Sequence, residues 1–288
     1  MKFTTFLLDG EPTLGLVEGD NVIDINAVHP YVPADLRQAL EANINLVEVG
    51  LALLESNAPR IPIAQLILTP AIPEPGKVIC LGLNYFDHAS ESGRDKPEYP
   101  WFFYRGKSSL IAHNIAGRVP KVSERFDFEA ELAVIIGKKV PRHTEKNDAL
   151  YYVFGYSCFN DMSVRDYQKR TPQWTIGKNF DATGAFGPFV VTADEVPSGG
   201  AELRIQCRLN GEIMQDASTT DMIWSVAETI SLLSECLTLE PGDVIAMGTP
   251  AGVGQARTPQ IWMKSGDVVE VEIERIGLLR NQILAEEE

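Results

Sequence analysis

Glu129, Glu131 and Asp161 are the residues whose types and spacing bear most directly on chemistry. Glu129 and Glu131 stand two apart in Phe128-Glu129-Ala130-Glu131-Leu132-Ala133-Val134-Ile135-Ile136-Gly137, and the apolar, β-branched end of that run predicts a buried strand. Side chains alternate across a strand, so both carboxylates leave one face. Unpaired carboxylates are costly to bury, and two side by side repel unless a proton or a cation lies between them. A hard divalent ion answers that need, because Mg²⁺, Mn²⁺ and Ca²⁺ prefer oxygen ligands. Asp161 closes a second apolar run, Tyr151 to Phe159 followed by Asn160-Asp161. A strand end beside the first strand would bring it into the cluster. A half-exposed strand with two solvated glutamates is the alternative, since Glu is rarely fully buried; the apolar flanks and the third acid weigh against it.

Other groups could work beside such a cluster. His88 is followed three residues later by Glu91. On a helical turn the two share a face, and the carboxylate can orient the imidazole and raise its basicity; an exposed pair at a helix start is the plainer reading. Asp161, Arg165 and Gln168 have the spacing of one helix face, which would aim an acid, a cation and an amide at one place. Lys178, among apolar neighbours, is either a surface lysine with a buried stem or a cation that meets a developing oxyanion. The run Gly248-Thr249-Pro250-Ala251-Gly252-Val253-Gly254 is a glycine-rich turn, or a turn whose amides and Thr249 hydroxyl face a carboxylate. Gly106-Lys107-Ser108 looks like the end of a phosphate loop, but Trp101 stands where that motif needs glycine, so it is rejected.

From about Lys77 to about Asn281 the chain resembles the fumarylacetoacetate hydrolase family. The resemblance rests on ordered motifs: Gly82-Leu83-Asn84-Tyr85-Phe86-Asp87-His88, Glu129-Ala130-Glu131-Leu132, Asn160-Asp161-Met162-Ser163-Val164-Arg165-Asp166-Tyr167-Gln168, Gly177-Lys178-Asn179-Phe180, Leu209-Asn210-Gly211-Glu212, and Pro241-Gly242-Asp243-Val244-Ile245 leading to Gly248-Thr249-Pro250. It implies a mixed, rolled β-sheet fold and a small 2-oxo acid as substrate. It implies Mg²⁺ or Mn²⁺ held by Glu129, Glu131 and Asp161, with Ca²⁺ an option in a crystal. His88, Glu91, Lys178 and Gln168 take catalytic roles, and Tyr85, Arg105, Arg165 and Thr249 bind substrate. The activity implied is cleavage of a C–C bond in an acylpyruvate through a pyruvate enolate. Oxaloacetate decarboxylation and hydroxymuconate isomerisation or hydration are alternatives at the same site. The resemblance also implies a homodimer. Many relatives carry Phe-x-Lys-Pro where this chain has Phe103-Tyr104-Arg105-Gly106, so Arg105 stands in for a lysine. A silent paralogue or a sensor of 2-oxo acids is the reading from a different class, because a fold does not dictate activity.

The elements that must position these groups read as α+β and β-rich. Lys2 to about Ile25 predicts short strands with turns at Asp9-Gly10 and Gly19-Asp20, and Asp35 to Leu54 predicts a helix. The proline-rich stretch Pro70 to Gly76 is read as a linker, which divides a small N-terminal domain, 1–70, from a catalytic domain, 71–288. Beyond it strands are expected over Val78 to Leu83, Phe189 to Thr192, Leu203 to Leu209, Val244 to Ala246 and Val268 to Ile273. Helices are expected over Ser163 to Arg170 and Asp221 to Cys236. Strands and helices do not alternate regularly, which argues against a doubly wound parallel sheet. The polar stretch Ser90 to Pro97 is expected to act as a lid. The 288 residues carry a formal charge of -15, which argues against nucleic acid and anionic membranes, both of which want basic patches. Four cysteines without close pairing, and an N-terminus lacking the apolar core of a signal peptide, give the expectation of a cytoplasmic enzyme.

Overall fold

The computed structural model describes residues 1–91, 93 and 95–287. Two of the residues expected to form the lid, Ser92 and Arg94, lie outside the described residues. Ten strands follow one another across the main sheet. Its middle is Gly184–Thr192, Val153–Asp161, Ala130–Ile136, Val244–Ala246 and Val78–Gly82. Trp101–Tyr104 forms one edge, and Lys2–Leu8, Glu11–Glu18, Asn21–Asp24 and Arg60–Pro62 extend the other. Val244–Ala246 runs parallel to Val78–Gly82, whereas Ala130–Ile136 is antiparallel to both its neighbours, so the sheet is mixed as expected. A second sheet orders Glu212–Ser218, Arg204–Leu209, Val268–Ile273, Gly277–Ala285 and Gly117–Val119.

Alternation along Ala130–Ile136 explains where the chemistry sits. Ala130, Leu132, Val134 and Ile136 face a core shared with Ile205, Cys207 and Val271 of the second sheet. Ala133 and Ile135 face the opposite core, shared with Leu36, Leu40 and Leu53 of the N-terminal helices. Glu131 has the parity of this second face. Phe159 also belongs to that face, and Asp161, two residues on, follows it. All three acids therefore emerge on one side, at the end of the sheet where the second core gives way to a cleft.

The N-terminal region is built into the same sheet, with Lys2 opposite Val191 and Phe3 opposite Val190. The helix expected over Asp35 to Leu54 is instead two, Leu36–Glu41 and Leu46–Leu54. Asn43 adopts φ 54° between them, and the Asn45 side chain accepts from Glu48 N at 3.3 Å, which starts the second helix afresh. The helix expected from Asp221 begins at Val226, where Ser225 and Glu228 form a reciprocal capping box. The helix expected over Ser163 to Arg170 is a further correction. Ser163–Val164 pairs as a strand with Phe126–Asp127, and only Arg165–Gln168 is helical. Asp161 belongs to the strand Val153–Asp161, so it shares no helix face with Arg165 and Gln168.

Candidate active site

Strand pairing assembles the acidic cluster. Glu131 lies opposite Phe159, and Asp161 N donates to Glu129 O at 2.9 Å, which sets the three acids side by side. One carboxylate oxygen from each lies within 4.8 Å of the others, and all three side chains are buried. Burial opposes ionisation of Glu129, but Arg165 and Lys178 prevail and hold its carboxyl at about 2. Glu131 goes the other way: burial raises it, and the charges of Asp161 and Glu129 raise it further. Lys178 and the Gly248 amide, which donates to its Oε2 at 2.9 Å, offset this only in part. Gly248 has φ 86°, and a Cβ there would lie 2.8 Å from Asn84 Cβ, so this amide needs a glycine to come so near. Three converging oxygen donors, one of them short of counter-charge, are a donor set suited to Mg²⁺, Mn²⁺ or Ca²⁺.

Buried cations surround the acids. Lys178 Nζ is 2.5 Å from Glu129 Oε2 and 2.5 Å from Asp161 Oδ2, so Lys178 is no surface lysine. Burial disfavours its charge, but Asp161 and Glu129 outweigh that and keep the ammonium protonated. The turn Thr175–Lys178 rests on Arg165–Gln168 at Gly177, where a Cβ would lie 2.3 Å from Gln168 N. Arg105 Nη1 is 2.5 Å from Asp161 Oδ1, and its Nη2 donates to Thr183 Oγ1 at 3.0 Å. Arg165 Nη1 reaches Glu129 Oε1 at 2.6 Å and Gln168 Oε1 at 3.1 Å. With Asp127, four buried carboxylates face the three cations Arg105, Arg165 and Lys178. Counted with all four carboxylates ionised, one negative charge is in excess, which a divalent ion would invert to suit an anionic ligand.

A cleft of about 670 Å³ opens over this cluster. Glu129, Glu131, Lys178, Arg165, Gln168, His88 and Thr249 all line it, so most of the residues singled out in the sequence converge. His88 Nδ1 is 2.8 Å from Glu91 Oε1, and Glu91 Oε2 accepts from Gly252 N at 2.9 Å. That pairing leaves Nε2 of His88 for chemistry. Thr249 Oγ1 accepts from Gln215 Nε2 at 2.7 Å, so its own O–H is available to a ligand. Arg165 Nη2 is buried and has no partner among the described residues. Phe103, Trp101 and Trp174 form an aromatic wall, with ring centres 5.3 Å apart for the two tryptophans and 5.7 Å for Phe103 and Trp174.

Two residues expected to touch substrate are not brought to the cleft. Arg105 lies behind Asp161 and acts on that carboxylate. Tyr85 lines another cavity, of about 300 Å³, and its buried hydroxyl has no hydrogen-bond partner among the described residues. An unsatisfied buried hydroxyl costs about 1–3 kcal/mol. Tyr85→Phe is therefore expected to melt at the same or a higher temperature; a clear drop in a thermal scan would show that the hydroxyl is in use.

Other residues carry the site without having been singled out. Gln215 Oε1 accepts from Ala130 N at 3.0 Å, which ties Thr249 to the acidic strand. Asn160 Oδ1 accepts from Glu129 N at 3.0 Å. Asp127 stands two residues before Glu129 and binds Arg165 Nε at 2.8 Å. Asp127 had a signal, since Asp-x-Glu-x-Glu continues the alternation by one step; Gln215 had none, because it reaches the site from the other sheet.

Comparison with known proteins agrees with this geometry. The family described as fumarylacetoacetate (FAA) hydrolase C-terminal matches residues 77–284. A mitochondrial oxaloacetate tautomerase of Xenopus laevis is 38% identical over 290 residues, covering 99% of this chain and 90% of that protein. The structure of a fumarylacetoacetate hydrolase from Exiguobacterium antarcticum superposes with a TM-score of 0.87 at 35% identity, covering 99% of this chain and 100% of that one. A maleylpyruvate hydrolase from Sphingobium sp. SYK-6, solved with manganese(II) and pyruvate, has a TM-score of 0.84 at 29% identity, with both chains covered in full.

Proposed function

The chain belongs to the fumarylacetoacetate hydrolase family, and from that premise we propose that it is a divalent-metal-dependent hydrolase of acylpyruvates, which cleaves them into a carboxylic acid and pyruvate. The observation that carries this reading is the convergence of the His88–Glu91 pair and Lys178 on the cleft over Glu129, Glu131 and Asp161. A divalent ion on those three carboxylates would supply the positive charge that polarises a 2-oxo acid and favours its enolate. Arg165 Nη2 is placed to bind the substrate carboxylate, and the Thr249 hydroxyl to donate a further hydrogen bond. Gln168 spends its Oε1 on Arg165, which leaves its amide N–H groups to hold a water.

His88 Nε2 takes a proton from that water, and Glu91 fixes the tautomer and steadies the imidazolium. The hydroxide adds to the distal carbonyl carbon. The bond between that carbon and the pyruvyl methylene breaks, and its electrons pass to the enolate. Lys178 Nζ meets the growing negative charge on the enolate oxygen, and the proton taken up by His88 returns to the enolate carbon, which completes pyruvate. The cleft, at about 670 Å³, has room for a tail well beyond four carbons, which favours acylpyruvates.

A second reading, keto–enol tautomerisation or decarboxylation of oxaloacetate, is favoured by the similarity to oxaloacetate tautomerases at 36–38% identity. Both chemistries share the enolate, but decarboxylation needs no attacking water. His88→Ala is therefore expected to lower acylpyruvate hydrolysis by about two to four powers of ten. Oxaloacetate decarboxylation should fall much less, and tautomerisation in step with hydrolysis if His88 also moves the methylene proton. Parallel assays on acetopyruvate and oxaloacetate read the difference. Equal losses in hydrolysis and decarboxylation would reassign His88 to binding.

A homodimer in the cytoplasm completes the proposal. The exposed apolar side chains of Tyr99, Tyr104 and Ile176 support an interface, which light scattering would read as twice the chain mass. No described helix is long and apolar enough to cross a membrane.

A further inference from the structure

Asp127 is wholly buried, and its carboxylate accepts from four donors. Phe128 N lies at 2.9 Å and Gly254 N at 2.8 Å from Oδ1; Gln255 N lies at 3.0 Å and Arg165 Nε at 2.8 Å from Oδ2. A carboxylate so fully engaged has no lone pair left for a metal or a proton transfer, and it is no member of the acidic triad. Its contacts lead instead to two residues that line the cleft, Arg165 and Gln255. Arg165 is pinned at two corners of its planar guanidinium: Nε on Asp127, Nη1 on Glu129 and Gln168. Two anchors fix the plane and its rotation, and Nη2 is the corner left for a ligand. Without Asp127, only Glu129 and its neighbours would attract the guanidinium. The plane would then be free to turn about its Glu129 and Gln168 contacts, and Nη2 would lose its fixed direction.

We propose that Asp127 is the positioning residue of this site: it holds Arg165 so that Nη2 meets the substrate carboxylate, and it seats Gln255 on the cleft wall. The assignment rests on the reading of the cleft as a 2-oxo-acid site.

Asp127→Asn keeps the shape but removes the charge, and its amide nitrogen faces donors where an oxygen stood. The test compares kcat and KM for an acylpyruvate and for its methyl ester, alongside the thermal shift caused by Mn²⁺. Expected are a retained Mn²⁺ shift, a KM for the acid raised by about tenfold or more with a smaller change in kcat, and a preference for acid over ester reduced by a similar factor, the scale of a charge-assisted hydrogen bond. A merely structural role would not move the acid-to-ester preference. An unchanged preference in folded Asp127→Asn overturns the assignment. Should that variant not fold, Arg165→Lys, which lacks the fork, must show the same loss of preference, and an unchanged preference there overturns it equally. If the unaltered protein turns over neither compound, the reading of the cleft fails first and the assignment falls with it.

Discussion

Glu131→Gln is expected to be at least as stable as the unaltered protein when metal is absent, and to lose both metal binding and turnover. The cause is the imbalance around this carboxylate. Burial, Asp161 and Glu129 all disfavour its charge, and Lys178 and the Gly248 amide offset this in part. Its folded ionisation lies above the unfolded value, so holding it ionised at neutral pH costs stability, and a neutral amide of the same shape removes that cost. The same substitution turns one of three carboxylate donors into a neutral amide and so removes the charge that made the site attractive to a divalent ion. A ligand at a hundredfold excess over its Kd stabilises by about 2.7 kcal/mol, which moves the melting temperature by several degrees. Thermal scans with and without Mn²⁺ should show that shift for the unaltered protein and little of it for Glu131→Gln. EDTA should abolish turnover of the unaltered protein, and Mg²⁺ or Mn²⁺ should restore it. Full turnover after exhaustive chelation would sink the metal reading.

Lys178→Met separates binding from chemistry. The stem keeps its length and its place against Phe103, whose ring centre is 5.1 Å from Nζ, while the charge disappears. A cation beside the enolate interacts with it more strongly than with the neutral ketone, and only such a difference lowers a barrier. Turnover is expected to fall at least about a hundredfold, the scale for loss of one oxyanion donor. Substrate affinity should change far less. The geometry adds a stability effect: without Nζ, Glu129 and Asp161 each lose a partner at 2.5 Å. Removing one member of a buried charge cluster typically costs about 3–5 kcal/mol. The metal-free variant should therefore melt lower, and Mn²⁺ should recover more of the loss than its effect on the unaltered protein. Near-normal turnover would remove Lys178 from the chemistry and leave it as a counter-ion.

Much of this was legible from local pattern. Glu129 and Glu131 could be placed on one face because strand side chains alternate with period two, whatever the sheet packs against. The family was legible because its motifs lie in order along the chain from Gly82 to Pro250. The His88–Glu91 contact followed from the pitch of one helical turn. Each of these depends on local runs or on their order along the chain, and none on which segments meet in space.

What the tertiary structure decided depends on which segments meet. The spacing of Asp161, Arg165 and Gln168 suggested one helix. Pairing of Ser163–Val164 with Phe126–Asp127 made the first half strand, because backbone groups bonded across a ladder cannot also close a helical turn. The same pairing brought Asp127 against Arg165. Arg105 was expected at the substrate; its Nη1 pairs with Asp161 Oδ1, and it is not among the residues that line the cleft. Tyr85 shares a motif with His88, yet its side chain lines another cavity, three residues being enough to turn the chain from one cavity to the next. Gln215 reaches Thr249 and Ala130 from a different sheet. No periodicity encodes such contacts: which buried polar atoms must satisfy one another is settled only when the core closes and water leaves.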